Sequence, residues 1–247
     1  MRATSRRARA LRIALGAVAV LGVAAGGLIH LHTRQREAAL VRADPERIAS
    51  DPSALRLAES LARPVYARHC AGCHGADLHG QRRIGAPDLA DQVWLYSFGQ
   101  VLEIETTLLY GVRSGHPKSH NITDMPGLGR SGQLTAAEVR DVVEYVYSLS
   151  HQDADASAAR RGAALFADKG VCYDCHGADA TGNVDYGAPD LTGHTWLYGG
   201  DRATLTASVR DGRHGLCPAW IGRLSALQIR ALALYLHARS HPAAVAR

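Results

Sequence analysis

Methionine and phenylalanine are scarce in this chain: its 247 residues include two of each, and one methionine is Met1. The five cysteines are too few for a disulfide scaffold in a chain of this length, so their positions matter more than their number. No stretch shows sustained alternation of apolar and polar residues, which argues against a β-sheet protein. With 47% hydrophobic and 21% charged residues, the chain has a globular composition, and wholesale disorder is excluded.

Acidic residues are missing from residues 1–36, which contain seven arginines. The whole chain has 28 basic and 23 acidic residues, so the remainder has 28 − 7 = 21 basic against 23 acidic residues, a net charge of −2. A body with this balance lacks the basic surface of a nucleic-acid-binding protein. We therefore expect no nucleic-acid partner.

Charged residues are also missing from residues 13–29, a run of apolar and small residues. Extended over residues 11–31, this run would form a helix about 31 Å long, which matches the thickness of a bilayer core. Five arginines precede the run, and the positive-inside rule places them in the cytoplasm. We predict a cytoplasmic basic tail at residues 1–12, a transmembrane anchor at 13–31 and a linker at 32–52. The alternative is a signal peptide. Both interpretations send the body across the membrane.

The body contains an internal repeat. The segment Cys70–Asp77 recurs as Cys172–Asp179, a shift of 172 − 70 = 102, and Gly85-Ala-Pro-Asp-Leu89 recurs at the same shift. Two copies of this length indicate a duplicated domain. We place the first half at residues 53–150 and the second half at 158–243, joined by a polar linker at 151–157. The first half carries about twelve extra residues around 116–124.

Both halves have helical patterns. Thr135 with Glu138, and Ser225 with Gln228, form capping-box patterns that open a helix near the end of each half. Phe166 and Tyr66 precede the two Cys segments, and we expect them to pack on Tyr235 and Tyr145, respectively. The predicted class is all-α: two tandem domains after one amino-terminal transmembrane helix.

Each Cys segment contains the motif C-x-x-C-H, the attachment signature of c-type haem. Two thiols one helical turn apart can form thioethers with both vinyl groups of a porphyrin, and the next histidine then ligates the iron. A redox-active dithiol would need a βαβ context, and a zinc site would need four ligands brought together. The sequence predicts two covalently attached haem c groups, with these attaching and proximal residues: Cys70, Cys73, His74, Cys172, Cys175 and His176.

A second axial ligand is needed for a six-coordinate haem. Met125 is the only internal methionine and follows the first motif, so it is the candidate there, with His116 and His120 as substitutes. The counterpart in the second half is Cys217. Cys217 has four interpretations. It is a thiolate ligand, a neutral packed thiol over a five-coordinate haem, part of an intermolecular disulfide, or not a ligand because His214 ligates instead. We favour the thiolate ligand. Thioether ligation raises a haem potential, whereas thiolate ligation lowers it.

Further residues have candidate roles around the haem groups. Arg113 and Arg213 would pair with haem propionates or be solvated. Four aromatic residues would line the haem crevices or simply fill the core: Trp94, Tyr96, Trp196 and Tyr198.

These residues together resemble the FixP/CcoP family, the di-haem cytochrome c subunit of cbb-type haem–copper oxidases. The similarity covers about residues 55–239 and includes Gly187–Thr192, Trp196–Asp201 and Gly212–Gly215. It implies two class I cytochrome c domains, with His74 and Met125 ligating haem one and His176 and position 217 ligating haem two. The family's methionine at position 217 is cysteine here, and its Trp-rich amino-terminal stretch is missing.

The resemblance also implies a location and partners. The protein would lie in a bacterial inner membrane with its haem domains in the periplasm. It would take electrons from a soluble cytochrome c or the cytochrome bc complex and pass them to a haem–copper oxidase core. The alternative is a di-haem enzyme that resembles thiosulfate dehydrogenases and uses a His/Cys haem, and a third interpretation is a gas or peroxide sensor. Whether the chain is itself an enzyme stays open, with an electron-transfer subunit preferred.

Overall fold

A computed structural model describes residues 2–242 of the chain, without the side chains of residues 2–14, 16, 17 and 19. Helix α1 spans Arg2–Arg42 and belongs to a unit of its own, separate from the unit that starts at Asp44. Among the described residues, no helix has the length and hydropathy required for a bilayer span. The predicted basic tail lies outside the described side chains, as does part of the predicted anchor.

The regular secondary structure of the second unit is helical, and loops connect its helices. Its helices are α2 (Pro45–Ile48), α3 (Pro52–His69), α4 (Ala71–His74), α5 (Val101–Tyr110), α6 (Ala136–Leu149), α7 (Ala156–Ala167), α8 (Tyr173–His176), α9 (Arg202–Asp211) and α10 (Ala226–Ser240). In the described chain, extended backbone pairs only as isolated bridges. The predicted all-α class is therefore confirmed, and both predicted capping boxes are present.

The two halves exchange their last helices. Helix α10 of the second half packs on α3 and α5, whereas α6 of the first half packs on α7 and α9. The ring of Tyr66 contacts that of Tyr235 edge-on at 6.2 Å, and Tyr145 contacts Phe166 at 5.3 Å. The expected contacts of Phe166 with Tyr235 and of Tyr66 with Tyr145 are therefore wrong.

A short connection explains the exchange. Only residues 150–155 separate α6 from α7, and so short a link between helices favours packing of the two neighbours on each other. The Arg161 guanidinium pairs with Asp141 at 2.7 Å. At Gly162 the two helices approach so closely that a Cβ atom would lie 2.0 Å from the Asp141 carbonyl oxygen. These contacts direct α6 away from the helix that begins its own half.

Each core therefore mixes residues from both halves. Around α6 the buried cluster contains Val139, Val142, Val143 and Val146 of the first half with Leu205 and Val209 of the second. On α3, Ala58 and Ala62 are fully buried, as are Ala231 and Leu232 on α10. Two tyrosines also pack against the opposite half. A Cβ on Gly85 would meet the Tyr198 ring at 2.0 Å, and one on Gly187 would meet the Tyr96 ring at 2.1 Å. Neither half buries its apolar surface alone.

Candidate haem sites

In each CxxCH motif, the second cysteine and the histidine lie on a short helix that follows a longer one. Helix α3 leads directly into Cys70, whose backbone N–H donates to the Tyr66 carbonyl oxygen at 2.8 Å, and α4 then carries Cys73 and His74. Helix α8 carries Cys175 and His176 in the same way. One helical turn therefore separates the two thiols of each motif, which is the spacing that two thioether bonds to one porphyrin require.

The two proximal histidines are held identically. His74 Nδ1 lies 3.1 Å from the Pro87 carbonyl oxygen, and His176 Nδ1 lies 3.0 Å from that of Pro189. Such a hydrogen bond fixes the ring and leaves Nε2 as the ligating atom. Burial lowers the pKa of both histidines, against the opposing effect of the carbonyl contact. Both rings are therefore kept neutral, which is the form that binds iron.

The loop after each motif has one shape in both halves. Gln81 pairs with Ala86 in a short antiparallel bridge, and Asn183 pairs with Ala188. This loop places the proline carbonyl oxygen within hydrogen-bond distance of the histidine Nδ1, so Gly85-Ala-Pro-Asp-Leu89 and its repeat copy are explained as histidine supports.

Met125 lies with the second motif. A cavity of about 320 Å³ is lined by Cys172, Cys175 and His176, and Met125 is part of its wall. This volume falls within the range of small-molecule and cofactor sites. The remaining wall is largely apolar, and it includes Val142, Val146, Phe166, Leu205 and Trp196. The structure thus brings Met125 to His176, whereas the resemblance pairs it with His74.

Cys217 lies with the first motif. Burial, followed by the neighbouring thiols of Cys217 and Cys73, raises the pKa of Cys70 to about 11. Burial, followed by Cys73, likewise raises the pKa of Cys217 to about 11. The thiols of Cys70, Cys73 and Cys217 therefore interact as one group. This places Cys217 at the first motif, whereas the resemblance pairs position 217 with His176. Without iron, Cys217 is a neutral thiol at neutral pH.

Cys217 and Met125 are held by corresponding backbone contacts. Cys217 exchanges two hydrogen bonds with Val112, of 2.9 and 3.0 Å, and Met125 exchanges two with Arg213, of 3.2 and 2.9 Å. Val112 and Arg213 each come directly after a glycine with positive φ, at the ends of α5 and α9, respectively. A Cβ on Gly111 would meet the Cys217 carbonyl oxygen at 2.3 Å, and one on Gly212 would meet that of Met125 at 2.4 Å. The two half-chains therefore hold each other's distal segment.

The other histidine candidates have different partners. The His116 ring stacks on Tyr110 and the His120 ring on Tyr96, each at a centroid distance below 5 Å. His214 pairs with the Asp124 carboxylate. None of the three histidines lines the cavity next to Met125. Trp196, Tyr96 and Tyr198 do line it, as the sequence suggested for crevice aromatics, whereas Trp94 does not.

The residues at both motifs fit haem c. Each site offers two thiols, a neutral and oriented imidazole, and a sulfur-bearing residue from the other half. Every one of these residues is a candidate from the sequence, but the exchange between halves was not predicted. The repeat contained no signal for it, because both halves carry the same pattern.

Comparisons with known proteins agree with this chemistry. Residues 61–150 match the family model described as "Cytochrome c", and residues 157–236 match "Cytochrome C oxidase, cbb3-type, subunit III". The "Cbb3-type cytochrome c oxidase subunit CcoP" of Cereibacter sphaeroides is 41% identical over 198 residues, which cover 80% of this chain and 67% of the relative. The FixP subunit of Bradyrhizobium sp. strain ORS 278 is 45% identical, with 81% and 67% covered.

A third relative, the CcoP subunit of Rhodobacter capsulatus, is 39% identical, with 80% of this chain and 68% of the relative covered. These matches confirm two cytochrome c domains, haem c binding and a function in electron transfer, and they give no support to the thiosulfate alternative. The predicted resemblance is confirmed: the chain belongs to the CcoP/FixP family of cbb3-type cytochrome c oxidase subunit III proteins.

Proposed function

We propose that the chain holds two covalently attached haem c groups and relays electrons between them as a subunit of a terminal oxidase. The observation that carries the proposal is the duplicated geometry of the motifs, with each histidine fixed by a proline carbonyl oxygen. Haem c supplies a one-electron Fe(III)/Fe(II) couple. The residues of the chain attach it, orient the proximal ring and exclude water from the distal face.

The ligand sets combine both halves. Cys70, Cys73 and His74 would hold haem one with Cys217 on its distal face. Haem two would be held by Cys172, Cys175 and His176, with Met125 on its distal face. The shared thiol group supports the first set and the shared cavity supports the second.

The two haem groups would differ in potential. A thioether favours Fe(II), whereas a cysteine that ligates as thiolate favours Fe(III). Iron must then lower the pKa of Cys217 from about 11. Haem one is accordingly assigned the lower potential, so an electron moves downhill from haem one to haem two.

A test of the ligand sets uses chains with one haem. The double variant Cys70→Ser/Cys73→Ser should retain one haem by mass, and its oxidised spectrum should show the sulfur–iron charge-transfer band. Adding Met125→Leu to this chain should abolish the band. The matched control is Met125→Leu in a Cys172→Ser/Cys175→Ser chain, where the spectrum should be unchanged. The reverse pattern would return Met125 to haem one.

The membrane anchor at residues 13–31 and a periplasmic location belong to the same proposal. They are supported by the uncharged run, its flanking arginines and the oxidase name of the relatives. The proposed donors are a soluble cytochrome c or the cytochrome bc complex, and the proposed acceptor is a haem–copper oxidase core.

Affinity purification of the full chain from its native membranes tests these partners. A haem–copper core should co-purify with the full chain and be lost when residues 1–31 are replaced by a cleavable leader. Recovery of the full chain in the soluble periplasmic fraction would reject the anchor.

A further inference from the structure

Two guanidinium groups line the cavity beside His176, although the wall is largely apolar. Arg113 comes from the first half and Arg213 from the second. Both side chains are half-buried. Cations in such surroundings are costly unless a negative group pairs with them.

Arg113 is fixed by three acceptors. Its Nη1 donates to the Tyr96 hydroxyl at 2.8 Å and to the Thr123 carbonyl oxygen at 3.0 Å. Its Nε donates to the Gly215 carbonyl oxygen. All three acceptors are uncharged, so the position of the guanidinium is set while its charge is not neutralised.

Arg213 is fixed in a comparable way. Its Nε donates to the Ser208 hydroxyl at 2.9 Å, and its guanidinium stacks on the Tyr198 ring at 3.9 Å from the centroid. Stacking of arginine on an aromatic ring stabilises one orientation of the fork. The second arginine is thus also positioned before any ligand binds.

Neither guanidinium has a carboxylate within ion-pair distance among the described residues. Asp124 lines the same cavity, but its carboxylate pairs with His214. Two positioned cations without an acidic partner indicate an anionic ligand with two separate carboxylates or an equivalent pair of charges.

We infer that Arg113 and Arg213 bind the two propionate carboxylates of the haem attached at Cys172 and Cys175. This inference rests on the proposed function, because it requires a haem at that site. Two propionates match two arginines in number and charge. Each guanidinium offers a planar fork that suits a carboxylate.

The arrangement is specific to one of the two sites. After the glycine that ends α9 the chain continues with Arg213 and His214, and after the glycine that ends α5 it continues with Val112 and Arg113. Val112 thus replaces Arg213 at the corresponding position. The two positive charges favour Fe(II) over Fe(III), so they add to the effect of Met125 and raise the potential of haem two.

Spectroelectrochemical titration of the full-length holoprotein tests this inference. Arg113→Gln and Arg213→Gln should each lower the midpoint potential of haem two and leave that of haem one nearly unchanged. The potential of haem two should also become more dependent on pH near neutrality, because an unpaired propionate takes up a proton more readily. Arg140→Gln removes one exposed positive charge from α6 and serves as the control.

The outcomes separate the two proposals. A Gln variant that carries two haem groups by mass and has the potential of Arg140→Gln would overturn the arginine assignment. Wild-type protein that carries only one haem by mass would instead overturn the proposed function. If a Gln variant does not mature, Arg113→Lys and Arg213→Lys keep the charge but lose the fork, and they should show a smaller fall in potential. Lysine variants with an unaltered potential and unaltered pH dependence would also overturn the assignment.

Discussion

Cys217 and Met125 occupy corresponding positions in the two halves, but their sulfur atoms differ in chemistry. A thioether has no proton to lose, whereas the thiol of Cys217 titrates, and burial raises its pKa to about 11. Each residue is fixed by two backbone hydrogen bonds to the opposite half, so the sulfur is positioned before it meets a ligand. The difference between the sites therefore depends on side-chain chemistry rather than on backbone geometry.

Replacing Cys217 with methionine should raise the reduction potential of haem one. The thioether would favour Fe(II) and would carry no charge. A second sulfur–iron band of the Met type should appear in the oxidised spectrum. Cys217→Ser is the matched control, and it should lose sulfur ligation without this gain. An unchanged potential in Cys217→Met would show that Cys217 is not a ligand.

Helix α6, like α10, connects the two halves. Its first turn is closed by Thr135 and Glu138: the Thr135 N–H donates to the Glu138 carboxylate at 2.7 Å, and the Glu138 N–H donates to the Thr135 hydroxyl at 3.3 Å. The same carboxylate accepts from Lys169 beyond α7. Helix α10 uses Gln228 for the equivalent contact, without charge. The two exchanged helices thus have the same cap but different pH behaviour.

In the Glu138→Gln variant, the free energy of unfolding should change less with pH in the acid range than it does in the wild type. The Lys169 hydrogen bond, followed by those of Thr135, lowers the pKa of Glu138 from 4.5 to about 2. A carboxyl whose folded pKa is lowered adds stability above its unfolded pKa and loses it as pH falls through the folded value. In thermal unfolding, the melting temperature of the wild type should exceed that of the variant at pH 6, and this difference should vanish towards pH 2. A constant difference would contradict this.

The contact between α6 and α7 should not tolerate a larger residue at position 162. A Cβ there would lie 2.0 Å from a backbone oxygen, which cannot move without shifting α6. We expect Gly162→Ala to cost about 1–3 kcal/mol in the free energy of unfolding, measured by urea denaturation. Gly193→Ala is the control, since its nearest neighbour would be 3.8 Å away. Equal stability of both variants would argue against close packing at Gly162.

At the scale of the molecule, the second unit is a pair of mutually completed domains. Helix α3 relies on α10 for its cover, and the cavity beside His176 relies on Met125 and α6. The buried ion pair of Glu105 with Arg230 also joins the halves, with about a tenth of each side chain exposed. The duplicated sequence therefore forms one cooperative unit rather than two independent ones.

A fragment of residues 44–150 should not form a stable haem protein alone. It lacks α10, so the buried face of α3 would be exposed to water. Co-expression with residues 151–242 should restore a one-to-one complex with haem on both motifs, measured by gel filtration and haem content. A fragment that is monomeric, helical and loaded with haem by itself would contradict the exchange.

The sequence predicted the elements better than their pairing. The repeat, the two CxxCH motifs and both capping boxes could be predicted from residue types and spacing, and Met125 and Cys217 could be named as candidates. The exchange was not, because Tyr66 and Phe166 present the same kind of ring to either Tyr145 or Tyr235. The choice depends on the six-residue connection between α6 and α7 and on the close approach at Gly162, which are properties of packing in three dimensions.

The exchanged helices also impose an order on biosynthesis. A chain grows from its amino terminus, so α6 is already made when α7 emerges, and the surroundings of His176 can close once α9 follows. The early segment around His74 must wait for α10, the last helix of the described chain. The machinery that attaches haem therefore has a longer period of access to Cys70 and Cys73 than to the second pair of thiols.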